Sequence, residues 1–190
     1  RNPADGLYSV VIGSLAYADL WATPGAMAIS MILDNLGRHP EAARYLETFR
    51  ARQGTVTPPS DCFSEPHPGY LSSPKTLTSI DWLPDHGALL WAIARHALLS
   101  GDRAFAARWS DPIVRACEFV RDARALRNHR GFRGIMPPAV ATDSKTQIQG
   151  VWSDGWIYKG LMTAIRLLRQ LGHLAARDGR PRHHRRQRSA

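Results

Sequence analysis

Carboxylates and indoles recur together at three places along the chain: Asp19-Leu20-Trp21-Ala22-Thr23-Pro24, Asp81-Trp82-Leu83-Pro84-Asp85-His86 and Val151-Trp152-Ser153-Asp154-Gly155-Trp156. A carboxyl can accept or deliver a proton, and the flat face of an indole stacks on the C–H face of a pyranose ring. Hydrolysis of a glycosidic bond generally uses two carboxyl groups flanking the bond, roughly 5 Å apart for retention or about 6.5–9.5 Å for inversion. Asp85, Asp154 and Asp81 are therefore the candidate catalytic residues, with Asp85 foremost. Trp21, Trp82, His86, Trp152, Trp156 and Lys159 are the candidate substrate-binding residues, and Tyr158 adds a further ring to the cluster. Trp91 and Trp109 fall inside helical patterns and are assigned to the core.

Each of these residues also has a purely structural role open to it. Asp85 and Asp154 fit N-caps, where helix amides hold a carboxylate ionised and favour a base over an acid. Were Asp81 and Asp85 close enough to repel, one would keep its proton and serve as the acid. A single Trp is most simply a packed core residue, whereas a cluster of aromatics at one rim is harder to explain that way. Lys159 equally fits a helix residue that snorkels. Other chemistries find no foothold: the chain has no GxSxG elbow, P-loop, HExxH or GxGxxG. His183-His184 lacks partners, so neither a metal nor a cofactor is expected.

The elements that must position these residues are helical. Segments 24–36 and 85–99 carry apolar residues on almost every face, which predicts burial all round. Segments 40–53 and 103–125 instead show single apolar stripes, Ala42, Tyr45, Leu46 and Phe49 in one and Phe105, Trp109, Ile113, Ala116, Val120 and Ala123 in the other. A third largely apolar helix is expected over 154–171. Gly37-Arg38-His39-Pro40 and Ser100-Gly101-Asp102 read as tight turns, with glycine just past one helix and Pro or Asp opening the next. Ser110-Asp111-Pro112 predicts a break or kink, because Pro112 has no amide to donate.

Stretches 54–84 and 126–153 are long, rich in Pro, Gly and Ser, and nearly without period; only Thr76-Leu77-Thr78-Ser79-Ile80 has strand character. Short turns on one side and long loops on the other place the starts of the apolar helices on one face. The expected fold is all-α: a partial toroid of helical hairpins, with long loops on one rim. Tetratricopeptide-type repeats are the competing architecture, but their period is about 34 residues, half the spacing between the three carboxylate–indole stretches.

Of 190 residues, 44% are hydrophobic and 22% charged, enough for one packed domain. The formal net charge of +9 is concentrated in the tail, since residues 177–190 hold six Arg and one Asp. That tail has no apolar period and self-repels, so 174–190 is expected to be disordered and non-native, and 1–173 to be the domain. Without aromatics between its charges it does not point to nucleic acid. No apolar stretch nears the roughly 18 residues of a membrane span, and no signal-peptide core opens the chain, so no membrane partner and a cytoplasmic location are expected. Cys62 and Cys117 make neither a disulfide framework nor a zinc site.

Together with Asp5-Gly6-Leu7-Tyr8 and Gly134-Ile135-Met136-Pro137-Pro138, the three carboxylate–indole stretches resemble the bacterial six-hairpin glycosidases. The broad relatives are the glycogen-debranching-like and α-L-rhamnosidase-like (α/α)6 enzymes. The likeness covers about residues 3–173. It implies a toroid of twelve helices with an acid and a base on loops at one end, of which this chain offers about half. The expectation is a glycoside hydrolase fragment, inactive in this form, whose substrate is an oligosaccharide or glycoside. Inner helices left uncovered would favour self-association. The alternatives are a helical scaffold that binds a protein partner, or a sugar lyase or epimerase on an α/α barrel.

Overall fold

Glycine and aspartate set the corners of this fold as its sequence predicts. The structure, a computed structural model, describes residues 6–9, 22–72 and 81–173. Asp5, Asp19, Trp21, the stretch 76–80 and the basic tail lie outside the described residues. The described chain forms α1 (Ala22–Met27), which passes directly into a π-helix (Ala28–Leu33), then α2 (His39–Ala51), α3 (Leu83–Ser100) and α4 (Arg103–Ala125). A two-residue hairpin follows, β1 (Ala139–Val140) antiparallel to β2 (Gln147–Ile148), and then α5 (Val151–Gln170). The protein is thus mainly helical.

Gly37, at φ +71°, lets the amides of Gly37 and Arg38 return to the carbonyls of Asp34 and Leu33, closing the π-helix in a Schellman pattern. Gly101, at φ +65°, ends α3. Asp102 then caps α4 by accepting from the amides of Ala104 and Phe105, both at 2.9 Å. Of the break or kink expected at Pro112, the break does not occur. The helix runs unbroken from Arg103 to Ala125, the proline is buried, and its carbonyl accepts from Gln53 Nε2 at 2.9 Å.

α3 is the hub, touched by α1, the π-helix, α2, α4 and α5. As its unbroken apolar pattern predicts, nearly every residue from Leu83 to Ala97 is buried. The other two apolar segments are not buried all round. Met31, Ile32 and Leu36 point outward from the first, and Trp152, Tyr158 and Met162 from the last. Among the described residues, only α3 has neighbours on every side; α1 and α5 each pack one face against it. Ala42, Leu46 and Phe49 turn inward from α2, and Phe105, Trp109, Ile113 and Ala116 from α4, as their stripes require.

Cross-helix contacts fix the directions. Thr23 meets Asp85 and Ser30 meets Arg95, so α1 and α3 are parallel. Gly87 meets Trp156 and Ile157 while Leu98 and Thr163 line one cleft, so α3 and α5 are parallel too. α4 runs the other way, with Phe105 against His96 and Ala116 against His86. The starts of α1, α3 and α5 therefore share one end of the molecule, the end carrying the long loops.

Those loops are pinned to each other and to the helices. Val140 N donates to Pro59 O at 2.8 Å, and Gln147 exchanges side-chain bonds with Asp61. Gln149 Nε2 donates to the carbonyls of Phe132 and Met136, both at 2.9 Å. A second apolar cluster, including Tyr70, Phe119, Val120, Met136 and Ile157, lies beneath them.

Helices α3 and α5 pack backbone to backbone. A Cβ on Gly87 would lie 2.4 Å from the backbone of Trp156 and Ile157, and one on Gly160 would lie 2.5 Å from Gly87 O. Backbone cannot yield as a side-chain tip can, so Gly87→Ala and Gly160→Ala are each expected to cost about 1–3 kcal/mol or more in urea unfolding. Gly155→Ala, on the same helix but facing open space, should instead gain up to about 1 kcal/mol. Equal, small effects at all three positions would refute backbone contact between the helices.

Candidate functional site

Around the loop end of the helices the predicted site residues fall into three separate places. The first is a buried knot at the start of α3. Trp82 occupies the N-cap position in extended conformation, and Asp85 is the third residue of the helix, not its N-cap. From there Asp85 reaches back, its Oδ2 accepting from the Trp82 amide at 3.4 Å. Its Oδ1 accepts from Thr23 N at 3.0 Å and Thr23 Oγ1 at 2.6 Å, tying α1 to α3. Burial lifts the carboxyl from 3.8 to about 6, against the pull of the Thr23 and Trp82 hydrogen bonds. The helix-start setting was expected to favour the ionised form; here desolvation is the larger effect. At 2% exposed, Asp85 has no open face for a substrate.

His86 is completely buried and cannot contact a ligand as expected. Its Nδ1 accepts from the Leu71 amide at 3.0 Å, so the proton sits on Nε2, which donates to Ala116 O at 3.1 Å. The ring stacks on Tyr70, 5.8 Å between centroids and 7° from parallel, with Phe119 alongside. Burial pushes the imidazole down to about 3, so it stays neutral. Asp81, also buried, accepts from the Tyr70 hydroxyl at 3.2 Å. Burial, then the charges of Asp81 and Asp85, push that phenol well above its ordinary value. Asp81, Asp85 and His86 thus join α1, the 70–72 segment and α4 to the start of α3.

The second place is an open groove on α5. Trp152 and Trp156 meet edge to face, with centroids 5.6 Å apart and planes at 88°. Trp156 is nearly buried against Trp91, also at 5.6 Å, while Trp152 is half exposed. The Lys159 ammonium lies 4.0 Å from the Trp91 ring centre and 4.8 Å from that of Trp156. Val151, Trp152, Gly155, Trp156 and Lys159 line a groove of about 450 Å³. Helical geometry dictates this grouping, because residues three or four apart share a face.

Asp154 lies elsewhere. It sits in the first turn of α5, which begins at Val151 after Gly150, so it is not the N-cap expected. Its Oδ1 accepts from the Met136 amide at 3.2 Å, holding the second long loop to the helix. It borders a smaller cavity of about 220 Å³ with Arg124, Ile135, Tyr158 and Leu161. Two residues along a helix turn the side chain by roughly 200°, which separates Asp154 from Trp152 and Trp156. Trp82 is partly buried at the start of α3, and Trp21 lies outside the described residues.

Comparison with known proteins returns no relative: no family model, no curated protein and no solved structure matches the chain.

Two residues of this region gave little sign of their roles. Thr23 was visible only as part of a motif, yet it is the main partner of Asp85. Tyr70 stood in a stretch without period, yet its ring and hydroxyl join His86 to Asp81. A lone aromatic after Pro68-Gly69 is the only signal the chain offers for it.

The knot makes stability depend on pH in two opposed ways. His86, lowered to about 3 from 6.5, contributes stability present above pH 6.5 and lost as pH falls toward 3. Asp85, raised to about 6 from 3.8, contributes stability present below pH 3.8 and lost as pH rises through 6. The His86 effect, on the order of 5 kcal/mol, exceeds the Asp85 effect of about 3 kcal/mol, so this pair should lose net stability on acidification. In urea unfolding from about pH 7.5 to 4, His86→Gln should flatten the loss and Asp85→Asn should steepen it. An unchanged slope in both variants would show that neither group is held as described.

Proposed function

We propose that this chain is part of a carbohydrate-active protein built of α/α hairpins, and that the groove at the start of α5 is a sugar-contacting face. The single observation carrying this is the arrangement of Trp152, Trp156 and Lys159. One indole is half exposed, a second braces it at a right angle, and an ammonium stands beside an apolar floor. A pyranose presents an apolar C–H face with hydroxyls at its edge, which matches an exposed ring beside a hydrogen-bond donor. The parallel starts of α1, α3 and α5 under the long loops support the proposed toroid rim. Acid–base hydrolysis of a glycosidic bond is the reaction we propose for the complete site. Asp81 and Asp85 are buried in the knot, so Asp154 is the candidate carboxyl we keep for it, acting from the cavity it borders on another face of α5 and not from the groove itself.

An alternative as a protein-binding helical scaffold draws on a different observation. Met31, Ile32 and Leu36 are 51%, 55% and 72% exposed on the outer side of the π-helix and its turn, an apolar row that a further hairpin or a partner would cover.

The two proposals separate in one titration. Indole resonances of the protein, followed by NMR against a panel of neutral oligosaccharides, should shift at Trp152 and Trp156. Trp152→Ala should weaken binding roughly tenfold or more, equivalent to about 1.4 kcal/mol, while the loss of its edge-to-face contact with Trp156 costs about 0.5–1.5 kcal/mol of stability and leaves the fold intact. If no oligosaccharide moves either indole, or the variant binds as well, the sugar proposal fails. For hydrolysis, any turnover detected should disappear in Asp154→Asn, which keeps the oxygen that accepts from Met136.

A further inference from the structure

At the far end of the helices from the loops, three side chains from three elements converge. Asp34 ends the π-helix, His39 opens α2, and His96 stands near the end of α3. The tight turn at Gly37 folds His39 back onto Asp34. Parallel packing of α1 on α3, fixed by Arg95 bonding Ser30 and Asn35, delivers His96 to the same point. Asp34 Oδ1 lies 2.9 Å from His39 Nδ1 and 2.7 Å from His96 Nδ1. One ligand-type atom from each residue falls within 4.8 Å of the others. The Asp34 side chain is fully buried and that of His96 is 1% exposed, while His39 at 32% opens the cluster to solvent.

Both imidazoles are directed at the same carboxylate oxygen, and the other one, Asp34 Oδ2, is buried without a hydrogen-bond partner among the described residues. A buried carboxylate oxygen left unsatisfied loses its hydration without a replacement, which is costly. Two donors crowded on one oxygen beside an empty second oxygen is a poor arrangement for a hydrogen-bonded core group. It suits a cation that both carboxylate and imidazoles can share.

We propose that Asp34, His39 and His96 form a binding site for a divalent transition-metal ion of the zinc class. Two imidazole nitrogens and one carboxylate are borderline donors that suit zinc and its neighbours. Calcium and magnesium take oxygen-only shells and are disfavoured. Zinc bonds of about 2.0–2.2 Å in tetrahedral geometry place ligand atoms roughly 3.3 Å apart. Entry of the ion therefore needs the carboxylate to back away from the rings by about half an ångström, and the two ring nitrogens, which lie within 4.8 Å of each other, to settle at that same spacing. Each neutral ring gives its Nδ1 lone pair to the metal and carries its proton on Nε2. Three protein ligands leave a fourth position for water on the open side, next to His39. The site is distinct from the α5 groove, and its existence does not depend on sugar binding.

The test uses the full chain carrying His183→Ala and His184→Ala, which removes the paired imidazoles of the tail as competing ligands. Titration of the metal-free protein with Co(II) should give one ion per chain, with the intense visible ligand-field bands of a four-coordinate centre, and Zn(II) should displace it. His39→Ala removes the ligand nearest solvent and should weaken binding by roughly 100-fold or more, beyond the 10–100-fold typical of outer-shell changes. Zn(II) should also raise the unfolding temperature of the parent and leave that of His39→Ala unmoved. Absence of a one-to-one Co(II) complex in the parent overturns the proposal, whether or not the variant folds. So does equal affinity in a folded His39→Ala.

Discussion

Two glycines decide how closely the central helix can approach its largest neighbour. Where Gly87 and Gly160 face each other, the backbones of α3 and α5 touch with no side chain between them. That approach brings Trp91 of α3 against Trp156 of α5 and sets Lys159 above both rings. It also fixes α5 parallel to α3, which puts its first turn at the loop end beside Met136. A side chain at either glycine would separate the helices, and the groove floor would lose the packing that holds Trp156 edge-on to Trp152. The geometry of the groove therefore rests on a contact made by residues with no functional group at all.

The same helix is apolar enough to be buried, yet four polar side chains along it determine what packs where. Asp85 holds α1 through Thr23, and His86 holds the 70–72 segment and α4 through two backbone groups. Arg95 holds the π-helix, and His96 meets Asp34. Apolar surface is indifferent to register, whereas a hydrogen bond in a low-dielectric interior is not, because misplacing it leaves a desolvated polar group unpaired. Burial drives the helices together; these four residues fix their directions and their axial positions. For Asp85 the desolvation is large enough to shift its titration, a cost accepted at the centre of the fold.

Local chemistry in the chain revealed the corners and stripes but not which surfaces are covered. Gly37, Gly101 and Asp102 act as their types dictate because caps depend on neighbouring backbone alone. The stripes of α2 and α4 were readable because charged residues marked their outer faces. Segment 24–36 misled because apolarity shows what burial would stabilise, not whether a partner is present to provide it; Met31 and Ile32 stay exposed. Pro112 misled for a similar reason. One missing amide is tolerated when the helix around it is packed on its inner face and its carbonyl meets Gln53. Asp34, His39 and His96 escaped notice because their spacing matches no local ligand motif. Only the Gly37 turn, combined with parallel α1 and α3, makes them neighbours.

A carboxyl that titrates near neutrality inside a helical rim is a natural choice for a general acid. Asp85 shows why that inference needs geometry beside it. Desolvation is what raises Asp85, while Thr23 and the Trp82 amide, whose hydrogen bonds pull it back down, occupy the positions a substrate oxygen would need. The burial that gives Asp85 the proton affinity of a general acid is therefore the burial that denies it a reactant. Its shift is better understood as strain in a structural tie. Asp154 has the opposite balance: it is open to a cavity and bonded by one amide. Its helix nevertheless turns it away from the indoles, so the half-exposed Trp152 and the one candidate carboxyl outside the knot lie on different faces of α5.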